Sequence, residues 1–134
     1  MVIDTSALLA ILSDETERRI FNEAIEAAES RIMSVVNFVE TSIVIESRFG
    51  AEGLRDLELF ADRAGIEIAA VDREQGDLAR RAYSTFGKGR HPAGLNFGDC
   101  FAYALAMARG EPLLYKGEDF AHTDVVQCRL TPEE

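Results

Sequence analysis

Asp99-Cys100-Phe101-Ala102-Tyr103-Ala104-Leu105-Ala106-Met107-Ala108-Arg109-Gly110-Glu111-Pro112-Leu113-Leu114-Tyr115 decides the fold class. The first two turns of the helix predicted over 99–109 are almost wholly apolar or small, so this helix lies inside the molecule rather than on it. Gly110 ends it and Pro112 forbids its continuation. Leu113 to Tyr115 then reads as a short buried strand. A buried helix feeding a buried strand is half of a βαβ crossover.

The same alternation extends back to the start of the chain. Met1-Val2-Ile3-Asp4 reads as a strand, Thr5 or Ser6 opens a turn, and 7–12 continues as a short helix. Asp14-Glu15-Thr16-Glu17 is expected to open a second helix, its acids placed where the helix dipole favours them. Ile20, Phe21, Ala24, Ile25 and Ala28 recur at helical spacing after it. Residues 31–36 form the second strand candidate. Ser34 or Asn37 caps the following helix, which carries Phe38, Val39, Ile43 and Val44 and breaks at Gly50 and Gly53. A helix over 54–64 is closed by Gly65. Residues 66–71 are the third strand, and Asp72 caps a helix over 73–86. Four glycines and Pro92 make 87–98 a loop. The fourth strand is 113–115, and 125–130 is read as a fifth. The expectation is a three-layer α/β fold: a mainly parallel central sheet of four to five strands flanked by helices, in a single domain over 1–134. No internal repeat, low-complexity segment or linker interrupts it.

Composition narrows the function. The 134 residues carry 24 acidic against 14 basic side chains, a formal charge of −10. That balance argues against sequence-independent coating of nucleic acid. No stretch reaches the roughly 18 apolar residues of a membrane span, and the start lacks a signal-type basic and apolar region. Cys100 and Cys128 form no CxxC pair, and His91 and His122 add no ligand spacing, so a zinc site is not expected. A cytoplasmic protein with reduced thiols fits these facts.

Four carboxylates stand out against that background. Asp4 ends the first strand, Asp99 opens the buried helix, Asp119 follows the fourth strand, and Glu40 lies early in the helix after the second strand. Each has an ordinary explanation alone: helix caps for Asp4 and Asp99, a solvated helix face for Glu40, turns for Asp119 and Asp124. Together they would meet in the crevice at the carboxyl ends of the strands, where open α/β sheets bind ligands. Acids crowded there repel one another without a cation. An oxygen-rich pocket suits Mg²⁺ or Mn²⁺ and points to phosphodiester chemistry.

The same residues carry a resemblance. Val2-Ile3-Asp4-Thr5-Ser6-Ala7-Leu8, Asn37-Phe38-Val39-Glu40, the segment from Leu95-Asn96-Phe97-Gly98-Asp99 to Ala106, and the tail from Leu113 through Lys116-Gly117-Glu118-Asp119-Phe120 to Asp124 resemble PIN-domain ribonucleases of the VapC toxin type. The likeness spans the chain. It implies a PIN-like fold and a Mg²⁺-dependent endoribonuclease, with Mn²⁺ able to substitute. It further implies a cognate VapB-type antitoxin, a homodimer, and a larger complex with antitoxin on DNA. By matching position the acidic quartet is Asp4, Glu40, Asp99 and Asp119, with Asp4 and Asp99 in direct metal contact. Glu118 and Asp124 compete with Asp119 for the last place. Ser6, Thr5, Asn96 and Asp124 take supporting polar roles. Arg73, Arg80 and Arg81 add local positive charge, while Lys88 and Arg90 in the Gly-rich loop, with Lys116, are the candidates for holding RNA phosphates. The helices over 16–30 and 38–49 are richer in apolar residues than one small core needs, and the resemblance makes them the antitoxin groove. Rival readings are a processing nuclease without an antitoxin, a silent acidic binding module, and an aspartyl phosphatase. The last wants a second acid two residues after Asp4, where Ser6 stands.

Overall fold

A computed structural model describes residues 1–130; the last four residues of the single-domain expectation lie outside it. Four parallel strands, β1 (Val2–Ile3), β2 (Ile32–Ser34), β3 (Glu67–Ala69) and β4 (Leu113–Leu114), lie in the order β3-β2-β1-β4. Their registers pair Val2 with Ile32 and Leu113, and Met33 with Ile68. The helices are α1 (Thr5–Leu12), α2 (Arg18–Ala27), α3 (Val35–Arg63), α4 (Arg73–Phe86) and α5 (Phe97–Arg109).

Strand residues alternate between faces, and both faces are covered. Val2, Ile32 and Leu113 pack with Ala102, Leu105 and Ala106 of α5 on one side. Ile3, Met33 and Leu114 pack with Leu8 of α1, Phe21 of α2 and Leu57 of α3 on the other. Two buried faces explain why the strands read as continuous apolar runs. The chain builds outward from β1 through β2 to β3, then returns to place β4 on the other side of β1. The direction of winding therefore reverses beside β1, and Asp4 follows β1 directly. That reversal is the crevice where such sheets take ligands.

Several boundaries depart from expectation for identifiable reasons. α2 starts at Arg18, so Glu15 and Glu17 precede it and instead hold Lys116. α3 runs on through the predicted break but loses helical geometry at Gly50 (φ 69°, ψ −156°), a conformation only glycine adopts freely. α5 begins at Phe97, two residues before the expected start, because Asn96 is its cap; Asp99 is the third helical residue and returns a bond to the Asn96 backbone in a capping box. The expected fifth strand is reduced to one bridge, Leu113 with Gln127. The N–H of Leu113 donates to Val126 O at 2.8 Å and that of Cys128 to Leu113 O at 3.0 Å, and the pairing extends no further.

Candidate active site

Asp4 is the N-cap of α1. Its Oδ2 accepts the Ser6 N–H at 2.9 Å and the Ser6 hydroxyl at 2.6 Å. Its Oδ1 is buried without any partner. Burial lifts the carboxyl from 3.8 to about 7 against the pull of the two Ser6 bonds, with the charges of Asp99 and Glu40 adding to the rise. Ser6 Oγ also accepts the Lys116 N–H at 2.9 Å, which ties the end of β4 to the Asp4 turn.

Asp99 reaches the crevice from the first turn of α5. Asp99 Oδ2 accepts the Asn96 N–H at 3.0 Å. Burial raises this carboxyl to about 6, opposed by the Asn96 bond and reinforced by the charges of Asp119 and Glu40. Glu40 comes from the second turn of α3, where its Oε1 accepts the Thr5 hydroxyl at 2.6 Å. Its carboxylate lies against the bare Cα of Gly98; a Cβ there would stand 2.6 Å from Oε1 and 2.7 Å from Cδ. Asp119 is exposed on the turn before Phe120–His122 and makes no side-chain cap bond.

Asp4, Glu40 and Asp99 are thus close enough to act on one another by charge, and the exposed Asp119 acts on Asp99. Asp124 meets α5 at another point, where the Tyr103 hydroxyl donates to its Oδ1 at 2.5 Å. Glu118 acts on Tyr115, whose phenol it helps push up. Asn96 serves as the α5 cap, accepting the Asp99 N–H at 2.9 Å. The Lys116 ammonium pairs with Glu15 at 2.8 Å and Glu17 at 3.1 Å. Lys88 stays exposed, and Arg90 lies 5.7 Å over the Tyr83 ring. The Cys100 thiol is pushed up to about 11 by burial and by Asp99, so it is a packing residue rather than a nucleophile.

Two residues escaped the sequence reading. Gly98 was read as part of a loop, yet it sits inside α5 and makes room for Glu40. A glycine inside a helical pattern is itself a signal of close approach. Asn37 was weighed only as a cap. It lies one turn before Glu40 on the same helix face, fully buried, and donates to Gly98 O at 3.0 Å.

Among the described residues no three His, Cys, Asp or Glu side chains stand in coordinating geometry. The donors nevertheless fit a hard divalent cation. Asp4, Glu40 and Asp99 each use one oxygen on a protein donor, and the Asp4 oxygen left over is an orphan in the interior. Burial, with neighbouring negative charge, raises the Asp4 and Asp99 carboxyls, and a cation relieves both causes.

The PIN domain family matches residues 1–126 of this chain. The chain belongs to that family, in its VapC branch. Ribonuclease VapC30 of Mycobacterium tuberculosis (strain ATCC 25618 / H37Rv) is 55% identical over 130 residues, 97% of this chain and 99% of that protein. Two solved structures share the PIN fold at low identity. The Mycobacterium tuberculosis toxin VapC20, described as cleaving the sarcin-ricin loop, has a TM-score of 0.77 at 14% identity, over 96% of this chain and 98% of that one. VapBC2 from Rickettsia felis, solved with a DNA fragment from its promoter, gives 0.73 at 13%, over 97% and 98%. PIN-domain architecture therefore accounts for the sheet order.

Proposed function

We propose that this chain is the endoribonuclease toxin of a VapBC toxin–antitoxin pair, cutting RNA with a Mg²⁺ or Mn²⁺ ion held by Asp4, Glu40, Asp99 and Asp119. The observation that carries this reading is Asp4: a fully buried carboxylate at the reversal of the sheet, one oxygen fixed by Ser6 and the other without a partner. When bound, a divalent ion supplies Lewis acidity and lowers the pKa of a coordinated water. The chain's own contribution is orientation. Ser6 aims Asp4, the capping box aims Asp99, and Thr5 aims Glu40. The family resemblance predicts that water attack expels the 3′ oxygen, leaving 5′-phosphate and 3′-hydroxyl ends. The two histidines offer no alternative: His91 Nδ1 accepts the Ala93 N–H at 3.0 Å and its ring packs edge-on to Phe86, while His122 stands exposed on the 120–122 turn.

The antitoxin's place is a groove of about 910 Å³ between α1, α2 and α3, with Ile11, Leu12, Ile25, Ile45, Phe49 and Phe60 in its wall. Arg18, Glu26, Arg31, Glu52, Asp56 and Arg63 share the lining, and such a mixture of apolar and charged groups suits an amphipathic helix. Among the described residues no helix is long and apolar enough to cross a membrane, and a cytoplasmic site of action matches the RNA substrate. Lys88 and Arg90, on the loop that leads into α5, are the phosphate contacts.

The test is cleavage of structured and unstructured RNAs in Mg²⁺, in Mn²⁺ and in EDTA, beside Asp4→Asn and Asp99→Asn. Metal-dependent cleavage lost in both variants, with 3′-hydroxyl ends, supports the reading. Cleavage that survives EDTA and both substitutions, or that leaves 2′,3′-cyclic phosphates, overturns it.

A further inference from the structure

The interior next to Glu40 holds three polar residues, Thr5, Asn37 and Thr41, between 0 and 7% exposed. A buried polar cluster is costly unless its bonds are made, so its wiring carries information. The Thr5 hydroxyl has one proton and two acceptors in reach: Glu40 Oε1 at 2.6 Å and the backbone oxygen of Asn37 at 3.3 Å. Two contacts remove the choice. Thr41 Oγ1 donates to that same Asn37 oxygen at 2.7 Å, and the oxygen is also in the hydrogen-bond ladder of α3. Asn37 Nδ2, which can only donate, points at Thr5 Oγ1 at 3.3 Å and fills one of its lone pairs. The Thr5 proton is left with Glu40.

We propose that Asn37 and Thr41 are positioning residues that direct the Thr5 proton onto Glu40 Oε1, and so fix which oxygen of Glu40 is presented to the metal ion. The claim rests on the metal-dependent reading above. Asn37 does a second job with its other amide proton, holding Gly98 O at 3.0 Å and thereby the helix turn against which the Glu40 carboxylate lies. Its own Oδ1 is buried without a partner. An apolar residue of equal size would carry no such penalty, so the amide stands here for its donors. Together the contacts bind α1, α3 and α5 at the place where each supplies or precedes an acid.

The experiment measures Mn²⁺ affinity by calorimetry for the whole protein, beside RNA cleavage and thermal unfolding. The variants are Asn37→Leu, Thr5→Val, Thr5→Ser and Glu40→Gln, with Thr5→Val also placed on Glu40→Gln. Groups that orient a metal ligand through hydrogen bonds typically contribute ~10–100-fold to metal affinity. Asn37→Leu and Thr5→Val are expected to weaken Mn²⁺ binding by that factor and lower kcat with KM for RNA unchanged. Thr5→Ser, which keeps the proton, recovers the loss. On Glu40→Gln, Thr5→Val adds nothing further, because it acts only through Glu40. Should Asn37→Leu unfold the protein, Thr41→Val, which opens the Asn37 oxygen to the Thr5 proton, decides instead: weakened Mn²⁺ binding is expected, and wild-type affinity overturns the proposal. Thr5→Val with wild-type Mn²⁺ affinity, or a loss that adds in full on Glu40→Gln, overturns the proposal. A wild-type protein that binds no Mn²⁺ overturns instead the metal-dependent reading beneath it.

Discussion

Gly98→Ala should separate stability from activity. The new methyl carbon would sit 2.6 Å from Glu40 Oε1 and 2.7 Å from Cδ, where ordinary contacts begin at 3.4 Å. Gly98 is the second residue of α5 and has no positive φ, so the backbone accepts alanine without strain. In a helix, alanine is favoured over glycine by about 1 kcal/mol. The movable partner is the end of the Glu40 side chain, whose Oε2 stands closer still; it must retreat by about 1 Å and give up its 2.6 Å bond to Thr5. A displacement near 1 Å at a positioned catalytic group costs on the order of 10²-fold in rate, or ~2.7 kcal/mol of transition-state stabilisation. The expected variant is as stable as the parent by chemical denaturation and about a hundredfold slower in RNA cleavage. Mn²⁺ affinity should fall with it, since the same carboxylate is displaced. Cleavage within about threefold of wild type by a folded Gly98→Ala protein would refute the argument that Glu40 is held where it must be.

Other consequences are as direct. Asp119→Asn should slow cleavage at least about tenfold, while Asp124→Asn and Glu118→Gln stay near wild type, because Asp119 acts on Asp99 and the other two act on Tyr103 and Tyr115; equal losses at all three would remove Asp119 from the quartet. The Asp4 carboxyl is raised from 3.8 to about 7, so its contribution to stability is greatest below pH 3.8, falls as pH rises toward 7 and is flat beyond. The fall amounts to ~4 kcal/mol. Denaturation of metal-free protein at pH 5 and pH 8 should show that slope in the wild type and a smaller one in Asp4→Asn, and Mg²⁺ should flatten it; identical slopes in both proteins would sink the assignment. Tyr103→Phe should cost roughly 1.5–3 kcal/mol, the worth of a bond to a charged acceptor, without changing metal affinity. Reversing the charge of Lys88 and Arg90 together should raise KM for RNA, and an unchanged KM would leave their charges without a role at the substrate.

The fold was legible because both faces of the sheet are buried. Val2-Ile3, Ile32-Met33 and Leu113-Leu114 read as strands, and the all-apolar stretch 100–106 had nowhere to go but inside. Boundaries were lost where a polar residue had two uses. Asp14 to Glu17 suited a helix start, and only tertiary contact shows Glu15 and Glu17 on Lys116. Asn96 and Asp99 both suited a cap, and the capping box uses both. For 125–130, β-propensity could not show that a single bridge to β4 is made. The bond from Tyr103 of α5 to Asp124 is a contact that no pattern within 118–124 foretells. Gly98 and Asn37 were illegible as site residues because their roles are contacts across α3 and α5, which spacing along one helix does not reveal.

Helix capping and metal binding are alternative readings of these acids in the sequence, but the capping bonds leave oxygens that the proposed metal could use. The turn that caps α1 binds one oxygen of Asp4 and leaves the other buried without a partner; the capping box of α5 likewise binds one oxygen of Asp99. Capping alone cannot account for aspartate at position 4. Asparagine caps about as well as aspartate, with either worth ~1 kcal/mol over alanine. Asparagine would also avoid the ~4 kcal/mol that the buried charge costs near neutral pH. The chain keeps the more expensive residue at its most buried acidic position, and keeps two further carboxylates close enough to raise that cost. A cation that met the charge would recover the penalty, and the proposed divalent ion among Asp4, Glu40 and Asp99 would do so while serving phosphodiester hydrolysis.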